Sequence, residues 1–65
     1  MKVAKMGMKR KFNGITYSLV AISHNKSDLL PFAINQRKVG GRVRITKDKW
    51  DRGAEYAAWH GGYRK

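Results

Sequence analysis

The sequence predicts a small α+β domain of ββαββ order, in which an antiparallel sheet carries one helix packed on one face. Three observations support this fold class. The dipeptide Asn13-Gly14 lies between two runs of strand character, and Asn-Gly is the strongest short-range signal for a β-hairpin. A polar loop that ends at Asp28 and a later Gly40-Gly41 pair delimit a helix, since Asp favours N-caps and Gly favours left-handed helix stops. Residues 42–47 then alternate polar and apolar side chains, as a half-buried strand does.

The first hairpin joins strands predicted at about 7–12 and 15–23, and the second run is rich in β-branched and aromatic residues. The two-residue turn sets the register, and directly opposed residues share one face of the sheet. The mostly apolar face is predicted to be the core side, and it carries Met6, Met8, Arg10, Phe12, Ile15, Tyr17, Leu19 and Ala21. The opposite face is predicted to present to water the side chains of Lys9, Lys11, Thr16 and Ser18.

The helix is predicted to begin at an N-cap supplied by Ser27 or Asp28 and to end at about residue 38 or 39. Pro31 then falls in the first turn, where its missing N–H matters least. Arg37 and Lys38 lie in the last turn, where positive charge interacts favourably with the helix dipole. The apolar residues of the segment form a broad set rather than a narrow stripe.

The strand at 42–47 is predicted to direct Val43 and Ile45 to the core and to direct outward Arg42, Arg44 and Thr46. Residues 48–60 are compatible with two structures, a capped helix or a turn at 51–53 followed by a strand over about 54–60. The propensity of residues 54–58 favours the helix. Gly53, the nearby aromatic residues and the need to pair an exposed sheet edge favour the strand, and we therefore predict the strand.

Length and composition define one domain and exclude several classes of protein. The 65 residues form a single domain over 1–65, in which 1–6 and 61–65 are expected to be flexible tails. The absence of cysteine excludes disulfides, thiolate metal sites and Cys nucleophiles. No apolar run approaches the roughly 20 residues of a membrane span, and the N-terminus lacks the apolar region of a secretory signal. We therefore expect a cytoplasmic protein without a membrane partner.

The acidic residues and histidines do not predict catalysis. Asp28 is explained by helix capping, and Asp48 and Asp51 are explained by turn formation. His24 and His60 share no motif with each other or with a nucleophile. We therefore expect neither an enzyme nor a metal site nor a cofactor.

The excess of positive charge is the feature that points to a function. The chain has 15 Lys and Arg residues, 4 Asp and Glu residues and a net charge of +11. Self-repulsion of this size is offset when a polyanion binds and counterions are released. We therefore predict binding of DNA or RNA through the outward sheet face and the basic N-terminal segment. The predicted contact residues are Lys9, Lys11, Thr16, Ser18, Arg42, Arg44, Lys47 and Lys49.

Alternatives to this mode of binding remain open at the level of the sequence. One is that the chain is a small regulator that docks on an acidic protein by adding an edge strand. The exposed edges of so small a sheet are also compatible with a homodimer. Unpaired bases could stack on Tyr56, Trp59 and Tyr63, although core filling is the commoner role for Trp50 and Trp59 in a small domain. The composition fits DNA and RNA, and single and double strands, equally well.

Several short motifs resemble those of a group of small basic proteins found mostly in archaea and their genetic elements. These motifs are Phe12-Asn13-Gly14 with Tyr17, Lys26-Ser27, Ala33, Arg37, Gly40 followed by Val43-Arg44-Ile45, and Tyr56-Ala57-Ala58-Trp59. The resemblance covers about residues 9–59; it implies the ββαββ order and carries over no activity. Pro31 and Gln36 depart from the smoother helical pattern of the group, which affects the expected length and regularity of the helix.

Overall fold

The computed structural model describes residues 3–64. Its elements are β1 (Lys9–Phe12), β2 (Ile15–Ser23), α1 (Lys26–Lys38), β3 (Gly41–Lys47) and β4 (Tyr56–Tyr63). All strand pairs are antiparallel, and the four strands form one sheet in the order β1-β2-β4-β3. The predicted α+β class and ββαββ order are confirmed, and the last segment is a strand rather than a helix.

The first hairpin has the predicted turn, and the predicted register is confirmed over Lys9–Phe12. Asn13 and Gly14 have positive φ angles of 51° and 80°, which these two residue types adopt at low cost. Phe12 lies opposite Ile15 across the turn, and the pairing of the remaining β1 residues follows from it. β1 begins later than predicted because the chain turns at Gly7, whose φ is 85°.

α1 begins earlier in the chain than predicted. Its N-cap is Asn25 rather than Ser27 or Asp28, so Pro31 is the sixth residue of the helix and lies beyond the first turn. The Ser23 hydroxyl donates to the Asp28 carboxylate over 2.6 Å and accepts the Asn25 N–H over 3.3 Å. Asp28 therefore ties the start of the helix to the end of β2 instead of capping the helix.

The two glycine pairs have different roles. Gly40 ends α1 in the left-handed conformation, with a φ of 84°, as predicted. β4 continues through Gly61 and Gly62 to Tyr63. Residues 61–63, which the sequence places in a flexible tail, are thus part of the sheet. Residues 1, 2 and 65 of the expected tails lie outside the described residues.

One face of the sheet, here called the aromatic face, carries the main core. Trp59 of β4 lies opposite Leu19 of β2 and opposite Arg44 of β3. The buried cluster on this face consists of Tyr17, Leu19, Trp50, Ala54, Ala57 and Trp59, with Ala4, Phe12, Ile15 and Ile22 packed against it. The loop between β3 and β4 covers the face with Trp50. Both indole rings are 1% exposed, so the prediction that they fill the core is confirmed.

The opposite face, here called the helix face, carries α1. His60 of β4 lies opposite Val43 of β3 on this face. A Cβ built at Gly41 would lie 2.8 Å from the main-chain oxygen of Gln36 and 3.1 Å from His60 Nε2, so α1 runs close over this end of the face. The helix residues buried there are Leu29 and Ala33. The helix and the apolar side of the first hairpin therefore lie on opposite faces of the sheet.

Candidate nucleic-acid interface

The predicted contact residues do not share one surface. Lys9 lies opposite Ser18, and Ser18 lies opposite His60, so the hairpin residues belong to the helix face. Arg44 lies opposite Trp59 and belongs to the aromatic face. It is therefore wrong that one face, directed away from the helix, carries Lys9, Lys11, Thr16, Ser18, Arg42, Arg44 and Thr46. The register of β4 is the cause, because it aligns the apolar residues of β2 with the polar residues of β3.

The predicted residues also differ in what they offer to a ligand. Thr46 accepts the Trp59 indole N–H over 2.8 Å, so its hydroxyl serves the core rather than a ligand. Lys47 and Lys49 are exposed at the end of the sheet where β3 terminates. The hairpin residues Lys9, Lys11 and Thr16 are exposed, and Ser18 is half-buried.

The acidic residues gather at one end of the molecule, here called the acidic end. It is the end where β2 and β3 terminate and where α1 and β4 begin. The Glu55 N–H donates to the Ser23 carbonyl oxygen over 3.1 Å, and the Asp48 N–H donates to the Glu55 carbonyl oxygen over 3.0 Å. Asp28 bonds the Ser23 hydroxyl, and Asp51 lies in the loop between β3 and β4. These are all 4 acidic side chains of the chain, so the other end carries none.

The opposite end contains an open groove of about 450 Å³, here called the arginine groove. β3 begins at this end, and α1 and β4 terminate there. The groove is lined by Arg37, Arg42, Arg44 and Arg64 together with Tyr17, Gly41, Val43 and Ile45. Four arginines therefore line one concave surface, and no acidic residue lines it.

Two of the groove arginines are held by backbone carbonyl groups. Arg37 Nη2 donates to the Val43 carbonyl oxygen over 3.0 Å, on the outer edge of the sheet. Arg42 Nη1 donates to the Tyr63 carbonyl oxygen over 3.4 Å. Because these partners are uncharged, they position the guanidinium groups without neutralising them.

Arg44 and Arg10 lie against the same aromatic ring. Each guanidinium carbon is 5.1 Å from the centre of the Phe12 ring, a cation–π distance. Arg10 Nη1 also lies 3.3 Å from Asp48 Oδ2 and forms an ion pair with it. Arg44 lines the arginine groove, and the structure gives it no acidic partner among residues 3–64.

Arg37 and Arg64 are contact candidates that sequence reasoning does not select. Arg37 is explained in the sequence by the helix dipole, and Arg64 belongs to a segment expected to be a tail. In the structure the Arg64 N–H donates to the Gly40 carbonyl oxygen over 2.7 Å, which holds this segment beside the end of α1. The sequence offered one signal for this pair. Arg37 lies in the last turn of α1, and Arg64 directly follows β4.

The three tyrosine and tryptophan residues considered for base stacking have different environments. Trp59 is buried and Tyr56 is half-buried. Tyr63 is 57% exposed and lies at the end of β4, next to the arginine groove. Stacking on Trp59 is therefore excluded, and Tyr63 is the aromatic ring that a ligand can reach.

Residues 3–64 contain no group of three or more histidine or carboxylate side chains placed to hold a metal ion. The histidines lie apart, with His24 in the loop before α1 and His60 in β4. In the same part of the chain, the helical segment is too short and too polar to cross a membrane.

Comparison of the chain with protein-family models, with curated proteins and with solved structures gave no match. The resemblance to the archaeal group of small basic proteins therefore stays a prediction.

Proposed function

We propose that this protein binds nucleic acid in the cytoplasm by electrostatic contact with the phosphate backbone, and that it is not an enzyme. The observation that supports the proposal is the arginine groove. Four arginines line this concave surface of about 450 Å³, and no acidic side chain does. The net charge of +11 adds a long-range attraction for polyanions.

The groove suits phosphate for a chemical reason. The planar guanidinium group presents a fork of N–H donors that matches two phosphate oxygens. Arg37 and Arg42 each use one terminal nitrogen in a bond to a carbonyl oxygen, which leaves the other donors of each group for a ligand. Since these side chains are already positioned, less rotamer entropy is lost on binding. Contacts of this kind position a nucleic acid without reading its sequence.

The lysines predicted on the hairpin lie on β1, at the sheet edge opposite β3, and are separate from the groove. Lys11 lies next to the hairpin turn, at the end of the sheet where Tyr17 lines the groove. Lys9 lies further along β1 on the helix face. A flexible polyanion that occupies the groove can extend to these side chains. The lysines and Arg44 lie on different faces of the sheet, so a flat ligand cannot contact both.

A salt series tests the proposal. We expect the logarithm of the association constant for short DNA and RNA oligonucleotides to fall with a slope of about −4 to −5 against the logarithm of salt concentration, as four to six neutralised phosphates require. Fluorescence anisotropy between about 50 and 300 mM KCl covers the range in which this effect is large. No binding at the lowest salt concentration, or a slope near zero, contradicts the electrostatic mechanism.

Docking on an acidic protein is a second candidate, and one feature favours it. α1 exposes Leu30 and Ile34, which are 38% and 51% exposed, and a helix face of this kind suits a protein partner. Purification separates the two candidates. Absorbance at 260 nm from bound nucleic acid supports the first, and a stoichiometric acidic protein supports the second. Size measurement in solution shows whether the chain forms a homodimer in either case.

A further inference from the structure

An exposed aromatic ring lies beside the arginine groove. The Tyr63 ring is 57% exposed, and the carbonyl oxygen of the same residue accepts the bond from Arg42 Nη1. Its hydroxyl donates to Gln36 Oε1 over 3.0 Å. Its ring centre lies 5.0 Å from that of His60 in an edge-on arrangement. The ring therefore has a defined position, and the main chain of the same residue holds the Arg42 guanidinium group.

Tyr63 does not belong to the buried core of the aromatic face. Tyr17, Trp50 and Trp59 are at most 7% exposed and form the core of the aromatic face. Tyr63 is the aromatic residue among residues 3–64 that leaves more than half of its surface to water. Proteins that bind single-stranded nucleic acid combine a cationic groove for the backbone with an exposed ring on which a base stacks.

The shape of the groove favours one strand over a duplex. Its volume of about 450 Å³ is in the range of about 300–1,000 Å³ that holds small molecules, and such a concavity accommodates a single sugar-phosphate chain. A duplex is a wide convex rod that is read by elements entering its grooves. The bases of a duplex are also stacked on each other, whereas unpaired bases can be splayed out onto an aromatic ring.

We infer that Tyr63 and the arginine groove form a binding site for single-stranded nucleic acid. A base stacks on the Tyr63 ring, and the adjoining phosphates contact Arg42 and the other groove arginines. The inference rests on the proposed function and narrows its ligand from nucleic acid in general to a flexible single strand. It also assigns the base contact to one residue at one end of the molecule.

The experiment compares three oligonucleotides of equal length: a single strand, a duplex and an abasic single strand that keeps the phosphates. The wild-type protein is expected to bind the single strand more tightly than the duplex at equal salt concentration. Tyr63→Ala is expected to weaken binding of the normal single strand about five- to a hundredfold, because one base–aromatic stack is lost. The same variant is expected to bind the abasic strand as the wild type does. Tyr63→Phe keeps the ring and is the matched control, with an expected change below about twofold.

Two outcomes overturn the inference. Either the duplex binds as tightly as the single strand, or Tyr63→Ala weakens binding of the abasic and the normal strand equally. If the salt dependence persists in these cases, the proposed function stands and only the single-strand site is lost. If the wild type binds none of the three oligonucleotides, the proposed function fails as well. Circular dichroism verifies folding, and Tyr63→Leu replaces Tyr63→Ala with the same expectation if the alanine variant does not fold.

Discussion

At the scale of single residues, the partner of an arginine decides whether its charge is available to a ligand. Arg10 and Arg44 lie at the same distance of 5.1 Å from the Phe12 ring. Arg10 forms an exposed ion pair with Asp48, which adds little to stability but lowers the local positive potential. Arg44 lines the arginine groove, to which the acidic residues contribute nothing. Two arginines with the same aromatic contact thus differ in their suitability for phosphate binding.

This difference predicts unequal effects of the same substitution. Arg44→Gln is expected to weaken oligonucleotide binding by about tenfold at about 0.1 M salt and to make the salt slope shallower by about 0.9, because one phosphate contact is lost. Arg10→Gln removes the same charge and is the matched control, with an expected change below about twofold. Anisotropy titrations at several salt concentrations measure both quantities, and equal losses for the two variants contradict the assignment of Arg44 to the groove.

At the scale of elements, β4 is a central strand of the sheet and is covered on both of its faces. Ala57, Ala58 and Trp59 follow each other in the chain and are all buried, at 0%, 0% and 1% exposure. Consecutive buried residues occur where a strand is covered on both faces. The loop with Trp50 covers one face and α1 covers the other. The uninterrupted apolar run at 56–59 is the feature of the sequence that indicates burial on both faces of the strand.

Pro31 lies inside α1 and is expected to make the helix less stable than the same helix with alanine at this position. As the sixth helix residue, Pro31 lacks the N–H that would bond the Ser27 carbonyl oxygen. Pro31→Ala is expected to raise the free energy of unfolding by about 1–3 kcal/mol, because it restores this bond and removes a helix-breaking ring. Asn35→Ala on the exposed side of the helix is the control, with a gain of at most about 0.7 kcal/mol. Urea unfolding followed by circular dichroism measures both, and an unchanged or lower midpoint for Pro31→Ala is the contrary result.

At the scale of the whole molecule, charge is separated along the sheet. The 4 acidic side chains lie where β2 and β3 terminate, and the arginine groove lies at the other end. The positive charges at the groove end have no counter-charge from acidic side chains, so they repel each other in the folded state. A bound polyanion removes this repulsion, which couples folding stability to ligand binding.

This repulsion predicts that salt stabilises the protein. Between about 20 and 200 mM NaCl, the free energy of unfolding is expected to rise by on the order of 1 kcal/mol, because screening weakens repulsion between surface charges. The double variant Lys11→Glu, Lys38→Glu lowers the net charge of +11 by four and is expected to show a smaller rise. Thermal unfolding at each salt concentration tests this, and stability that is independent of salt in the wild type argues against the expected repulsion.

The sequence by itself determined the first hairpin, the end of the helix, the strand β3 and the charge of this protein. The Asn13-Gly14 turn, the helix stop at Gly40 and the alternation at 42–47 depend on residues close together in the chain, and their local geometry allows few alternatives. The first hairpin kept its predicted register over β1 for the same reason. The excess of Lys and Arg was equally available, and the binding of nucleic acid that it predicts stays a prediction.

Only the tertiary structure decided where the charges meet. A strand alternates its side chains between two faces, so a shift of one residue in the pairing of β4 exchanges the faces. That pairing joins β2 to β3 across a long stretch of chain, and no local pattern sets it. The groove likewise combines Arg37 of α1, Arg42 and Arg44 of β3, and Arg64 after β4. These residues line one groove because three elements terminate or begin at one end of the sheet, which is a property of the folded chain alone.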